Sequence, residues 1–147
     1  MPLRMWQNQP MLIVNTATQC TYKNQFRELQ LLYNEYKEGG LQIIAIPCND
    51  FGELEPWDED LIAHFVESNY GVQYPITTKE HVIGGEAHPL FYQIVQSFGV
   101  SFAPKWNFQK YFFDRAGELV DTWPSAITPT DPLITHNIER NLNSWII

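Results

Sequence analysis

Cys20 stands between the apolar run Met11-Leu12-Ile13-Val14 and a segment with the periodicity of an amphipathic helix. A sulfur at a strand-to-helix junction meets backbone amides that have no helical partner, together with the positive end of the helix dipole. Both favour the thiolate, and such sites bring cysteine pKa values from about 8.5 to between roughly 3.5 and 7.5. The expectation is a reactive, redox-active cysteine. The second thiol, Cys48, closes another apolar run and is expected to be core, since free cysteines are among the most buried residues. His64, His81, His88 and His136 fall at no metal-ligand spacing, so neither a metal nor a cofactor is expected.

The elements that must hold Cys20 alternate between strand and helix signals. Met11 to Thr16 predicts a buried strand, and Phe26, Leu29, Tyr33 and Tyr36 form one stripe of a helix over Tyr22 to Tyr36, stopped by Gly39-Gly40. Leu41 to Ile46 is then a second strand, parallel to the first because a helix-length crossover separates them. A second helix follows Asp58, with Leu61, Ile62, Phe65 and Val66 on one face, and a shorter one runs from about His88 to Phe98. Phe108 to Phe113 and Glu118 to Trp123 predict a hairpin around Asp114-Arg115-Ala116-Gly117. A last helix opens at Asp131-Pro132 and turns Ile134, Ile138 and Leu142 inward. The order predicts an α/β protein of thioredoxin-like fold, a central mixed β-sheet flanked by helices.

The chain has 147 residues, 44% hydrophobic and 14% aromatic, which suits one domain with a sizeable core. A net charge of −8 and a pI near 4.8 argue against nucleic-acid and anionic-membrane partners, which need clustered Lys and Arg. No segment has the length of a membrane span or of a secretory apolar core, and a cytoplasmic location is expected.

The segment Ile13-Val14-Asn15-Thr16-Ala17-Thr18-Gln19-Cys20 resembles the glutathione peroxidase signature, where a strand ending in Asn-Val-Ala-Ser leads to the catalytic cysteine or selenocysteine. Ile46-Pro47-Cys48-Asn49-Asp50-Phe51-Gly52-Glu53-Leu54-Glu55-Pro56 resembles the second motif, and Ala87-His88-Pro89-Leu90-Phe91 and Lys105-Trp106-Asn107-Phe108 match two more in the same order. The resemblance implies a single glutathione peroxidase domain over residues 1–147 and a thiol-dependent peroxidase. In it Cys20 attacks a hydroperoxide and becomes a sulfenic acid, and Trp106 and Asn107 supply uncharged donors.

Departures from the family pattern shape the rest of the expectation. Leu54 stands where the family has a glutamine donor, Thr21 replaces the glycine after the catalytic position, and Lys23 brings a cation that points either inward to Cys20 or out to solvent. Gln25 is expected to be an exposed polar residue. Val66 occupies the position of the resolving cysteine of thioredoxin-using members, so direct reduction by glutathione or another small thiol is implied. Ten residues precede Met11, fewer than the family's leading hairpin needs, leaving an edge for Trp6 or a partner to cover. The short segment between His88 and Lys105 resembles compact members, implying a monomer or weak dimer with Cys20 exposed to bulky, including lipid, hydroperoxides. Two alternatives stand beside the peroxidase, a peroxide sensor or redox relay and a catalytically silent binding module.

Overall fold

Aliphatic and β-branched residues fill β1 (Met11–Thr16) and β2 (Gln42–Pro47), and every residue of the two except Met11 is buried, as expected of strands covered on both faces. They pair in parallel, Leu12 opposite Ile43 and Val14 opposite Ala45, joined by the crossover helix α1 (Gln25–Tyr36). The structure is a computed structural model that describes residues 8–142. Gly40, at φ 110°, ends the α1 segment as the sequence predicts. The helix itself begins three residues later than the apolar stripe indicates. Tyr22 to Asn24 form tight turns whose N–H groups and successors bond carbonyls three residues back, such as Lys23 to Cys20 at 3.0 Å and Phe26 to Lys23 at 3.0 Å.

The chain continues through α2 (Glu59–Tyr70), capped by the Asp58 side chain on the Leu61 N–H at 3.0 Å, and α3 (Pro89–Phe98), capped by His88 on the Leu90 N–H at 3.1 Å. Next come β3 (Lys110–Phe113), β4 (Leu119–Trp123) and α4 (Pro132–Asn141), with Asp131 capping the last helix. The sheet order is β2-β1-β3-β4, with β3 antiparallel to both β1 and β4. The sheet is therefore mixed.

Strand β3 starts two residues after the expected Phe108. Phe108 has φ 66°, which costs a non-glycine residue on the order of 1 kcal/mol. That turn lets its N–H reach the Asn15 carbonyl at 2.6 Å and stacks its ring edgewise on Phe26 at 5.1 Å. Hydrogen bonding and aromatic contact together offset the strain.

Two apolar layers sandwich the sheet. One joins Leu12, Val14, Ile43, Ala45, Phe112 and Trp123 to α1, Val66 of α2, and Ile134 and Ile138 of α4. The other joins Ile13, Ile44, Ile46, Tyr111 and Phe113 to Phe91 and Ile94 of α3. Leu29 and Leu32 are fully buried, and burial of each contributes on the order of 2 kcal/mol, so packing rather than helix propensity holds α1 in place. Trp6, the expected cover for a sheet edge, lies outside the described residues. No helix among them is long and apolar enough to cross a membrane.

Candidate active site

After β1 the chain turns back on itself. The Cys20 N–H bonds the Ala17 carbonyl at 3.4 Å, and the Cys20 sulfur accepts from the Tyr22 N–H at 3.4 Å. That amide belongs to the turns preceding α1, so the donor expected of a helix start comes from the turn instead. Cys20 is 1% exposed and belongs to the apolar layer of α1. Cys20 is therefore not the exposed cysteine, open to bulky hydroperoxides, that the compact loops imply: the turns from Cys20 to Asn24 fold the thiol inward onto the layer. Lys23 is exposed, which settles its direction as outward.

The loop following β2 approaches the same place. Gly52 at φ 69° and Glu53 at φ 53° reverse the backbone, and the Asn49 side chain accepts the Glu55 N–H at 2.8 Å. The reversal lets the Leu54 carbonyl accept the Gln19 N–H at 3.1 Å. Glu55, fully buried, accepts the Thr18 N–H at 2.9 Å and the Thr18 hydroxyl at 2.6 Å. Burial raises the Glu55 pKa, opposed by the two Thr18 bonds and by Lys79. Three hydrogen bonds thus tie this loop to the two residues before Cys20. Nothing in the sequence separates Glu55 from Asp50, Glu53 and Asp58 of the same polar loop; its burial against Thr18 is visible only in the fold.

Trp106 and Leu54 flank Gly52. A Cβ on Gly52 would lie 3.0 Å from Cη2 of Trp106 and 3.3 Å from Cγ of Leu54, so the left-handed φ favours glycine and any larger residue presses on both side chains. The Trp106 ring also packs on Phe51 at 5.9 Å and stays 38% exposed. Its backbone carbonyl is held by the Asn15 side chain at 2.9 Å. Among the described residues its indole N–H donates to no protein group. Leu54 is half-buried against the layer that contains Cys20.

Asn107 is fully buried, and its amide serves another thiol. Its Nδ2 donates to the Phe51 carbonyl at 3.3 Å, and its Oδ1 accepts from the Cys48 thiol at 3.8 Å. Cys48 lies in the apolar layer of α3, across the sheet from Cys20, and burial pushes its thiol up to about 11. Cys48 is core, as its sequence position indicated. Gln25 departs from its expected exposure: it is 4% exposed and donates to the Ser125 carbonyl at 2.8 Å. Val66 is buried in the Cys20 layer. His64 and His136 are exposed, while His81, which the sequence left without a role, bonds Asp50 at 2.7 Å. Among the described residues no three His, Cys, Asp or Glu side chains are grouped to hold a metal.

The model of the family described as glutathione peroxidase matches residues 1–95. The chain is 43% identical to the "glutathione peroxidase homolog BsaA" of Halalkalibacterium halodurans over 84% of this chain and 80% of that one. It is 37% identical to the "hydroperoxy fatty acid reductase gpx1" of Synechocystis over 95% of this chain and 86% of that one. Among solved structures, "Trgpx in apo form" superposes with a TM-score of 0.75 at 25% identity, over 96% of this chain and 85% of that one. A thioredoxin-family thiol:disulfide interchange protein from Chlorobium tepidum superposes with a TM-score of 0.58 at 10% identity, over 94% of this chain and 83% of that one. The fold is thioredoxin-like.

Proposed function

This chain belongs to the glutathione peroxidase family and is a peroxidase, and from that premise we propose that Cys20 carries the reaction and that a small thiol such as glutathione regenerates it. The Cys20 thiolate attacks one oxygen of a hydroperoxide, the O–O bond breaks, and the alkoxide or hydroxide leaves with a proton as an alcohol or water. Cys20 is left as a sulfenic acid. One glutathione thiolate displaces its hydroxyl as water to give a mixed disulfide, and a second releases Cys20 and oxidised glutathione.

The observation that carries this reading is the placement of the two thiols. Cys20 lies in the loop tied to Leu54 and Glu55 beside Trp106, whereas Cys48 faces the opposite layer, and Val66 fills the resolving position. The described chain therefore offers Cys20 no internal reductant. Tyr22 supplies an amide donor to the sulfur, and the Trp106 indole, which donates to no protein group among the described residues, is the donor assigned to a departing oxygen. Asn107 acts by fixing the loop at Phe51. Both cysteines are free thiols, which suits a reducing cytoplasmic compartment. Because Cys20 is buried, the substrate is hydrogen peroxide or a slender hydroperoxide, such as that of a fatty acid, presented end-on.

Steady-state peroxide consumption with glutathione and with thioredoxin, on the protein and on Cys20→Ser, is the test. Turnover with glutathione that disappears in Cys20→Ser supports the reading; turnover with thioredoxin alone overturns the reductant. A second reading, a peroxide sensor, draws on Leu54, which cannot donate a hydrogen bond, and on the burial of Cys20. It predicts stoichiometric oxidation of Cys20 without turnover.

A further inference from the structure

Ser125 lies between β4 and α4, and three buried side chains and backbone groups converge on it. Its carbonyl accepts Gln25 Nε2 at 2.8 Å and Lys110 Nζ at 2.9 Å, and its hydroxyl donates to the Asn107 carbonyl. Gln25 opens α1 at the end of the turns that hold Cys20, and Asn107 follows Trp106. Ser125 therefore joins the two segments that form the site. Lys110 is fully buried, and its place opposite Val14 and Trp123 sets its side chain on the Cys20 face of the sheet. Gln25 Oε1, beside it, is buried without a partner.

A methylene chain alone would fill this space without the cost of desolvating an ammonium. The charge is therefore explained by what it holds. We propose that Lys110 is a positioning residue of the peroxide site: with its proton it grips the Ser125 carbonyl and so fixes the Cys20 turn, through Gln25, against the Trp106–Asn107 segment. The inference rests on the peroxidase reading above. Deprotonated, the amine is a weaker donor and the brace slackens.

Burial brings the Lys110 ammonium down to about 7, with Glu28 of α1 opposing. From β1 and β4 it faces uncharged Val14 and Trp123, and from α4 the layer receives Ile134 and Ile138. The brace is accordingly tight in mildly acidic solution and slackens as pH rises through the Lys110 midpoint.

The test measures the rate of Cys20 oxidation by hydrogen peroxide across pH in the wild type, Lys110→Met and Lys110→Gln, alongside the NMR shifts of the Gln25 side-chain amide and the Phe108 backbone amide. In the wild type both amides should move together with a midpoint near that of Lys110, and neither should in the variants. Lys110→Met should lower the rate about tenfold at mildly acidic pH, the scale of one lost charged hydrogen bond. Lys110→Gln, which keeps a donor for Ser125, should restore most of that rate but not the pH step. A Lys110→Met or Lys110→Gln rate profile that matches the wild type overturns the proposal. If the wild type itself consumes no peroxide, the peroxidase reading falls, and the amide shifts decide the brace: a shared step supports it and no step overturns it.

Discussion

The carboxylate of Glu55 accepts two hydrogen bonds from Thr18, one from its N–H at 2.9 Å and one from its hydroxyl at 2.6 Å, across 37 residues of sequence. The pair clamps the loop of the second motif to the loop of Cys20. Because burial is the leading influence and raises the Glu55 pKa, the folded protein binds this proton at a pH where the unfolded chain has released it. Its contribution to stability is fully present below the unfolded value of about 4.3 and declines as pH rises through the folded value. Glu55→Gln, which can still accept from the Thr18 N–H and donate to its hydroxyl, should remove that decline and match or exceed wild-type stability at neutral pH. Glu55→Ala should lose about 2 to 3 kcal/mol, since it strands a buried N–H. Urea unfolding of both variants in acidic and neutral buffer checks the pair.

Peroxide should oxidise Cys20 and spare Cys48. The two thiols lie in layers on opposite faces of the sheet, and the Cys48 thiol is pushed up to about 11. Mass spectrometry after a stoichiometric peroxide pulse should find the oxygen on Cys20 and no intramolecular disulfide, because a bridge requires Cα atoms within about 7 Å and converging side chains. A Cys20–Cys48 disulfide would sink the glutathione reading as well.

Leu54→Gln should raise the rate of Cys20 oxidation by about tenfold if one added hydrogen bond contributes about 1.4 kcal/mol in the transition state. Leu54 packs on the Cys20 layer and flanks Gly52 together with Trp106, so an amide at this position has the site within reach. The lost apolar contact should cost about 1 kcal/mol. Stopped-flow rates and thermal unfolding of the variant separate the two effects, and an unchanged rate would show that no donor is needed there.

Gly52→Ala should damage both stability and activity. The residue has φ 69°, and a new Cβ would press on the Trp106 ring at 3.0 Å. Left-handed strain alone costs on the order of 1 kcal/mol, and displacing the indole adds to it. Shifted tryptophan emission with a slower Cys20 oxidation is the expected result. Gly85→Ala, where nothing lies within 4 Å, is the matched control and should leave both unchanged.

Local patterns in the sequence determine the elements that carry the site. Alternating apolar runs, the stripe of Phe26, Leu29 and Tyr36, and the caps at Asp58, His88 and Asp131 act over a few residues, and the helices and strands form around those signals, with only the starts of α1 and β3 displaced by two or three residues. The motif resemblance implies one site of Cys20, Trp106 and Asn107, with Leu54 where the family has a glutamine. Tertiary structure alone decided that Cys20 is covered, that Cys48 lies behind the sheet, that Gln25 turns inward, and that the Asn107 amide meets Cys48. Those outcomes depend on strand register and on which layer each turn packs against. Thr18 and Glu55, or Lys110 and Ser125, carry no mark of each other in the sequence, because the low-dielectric interior that makes each bond necessary exists only once the layers have closed.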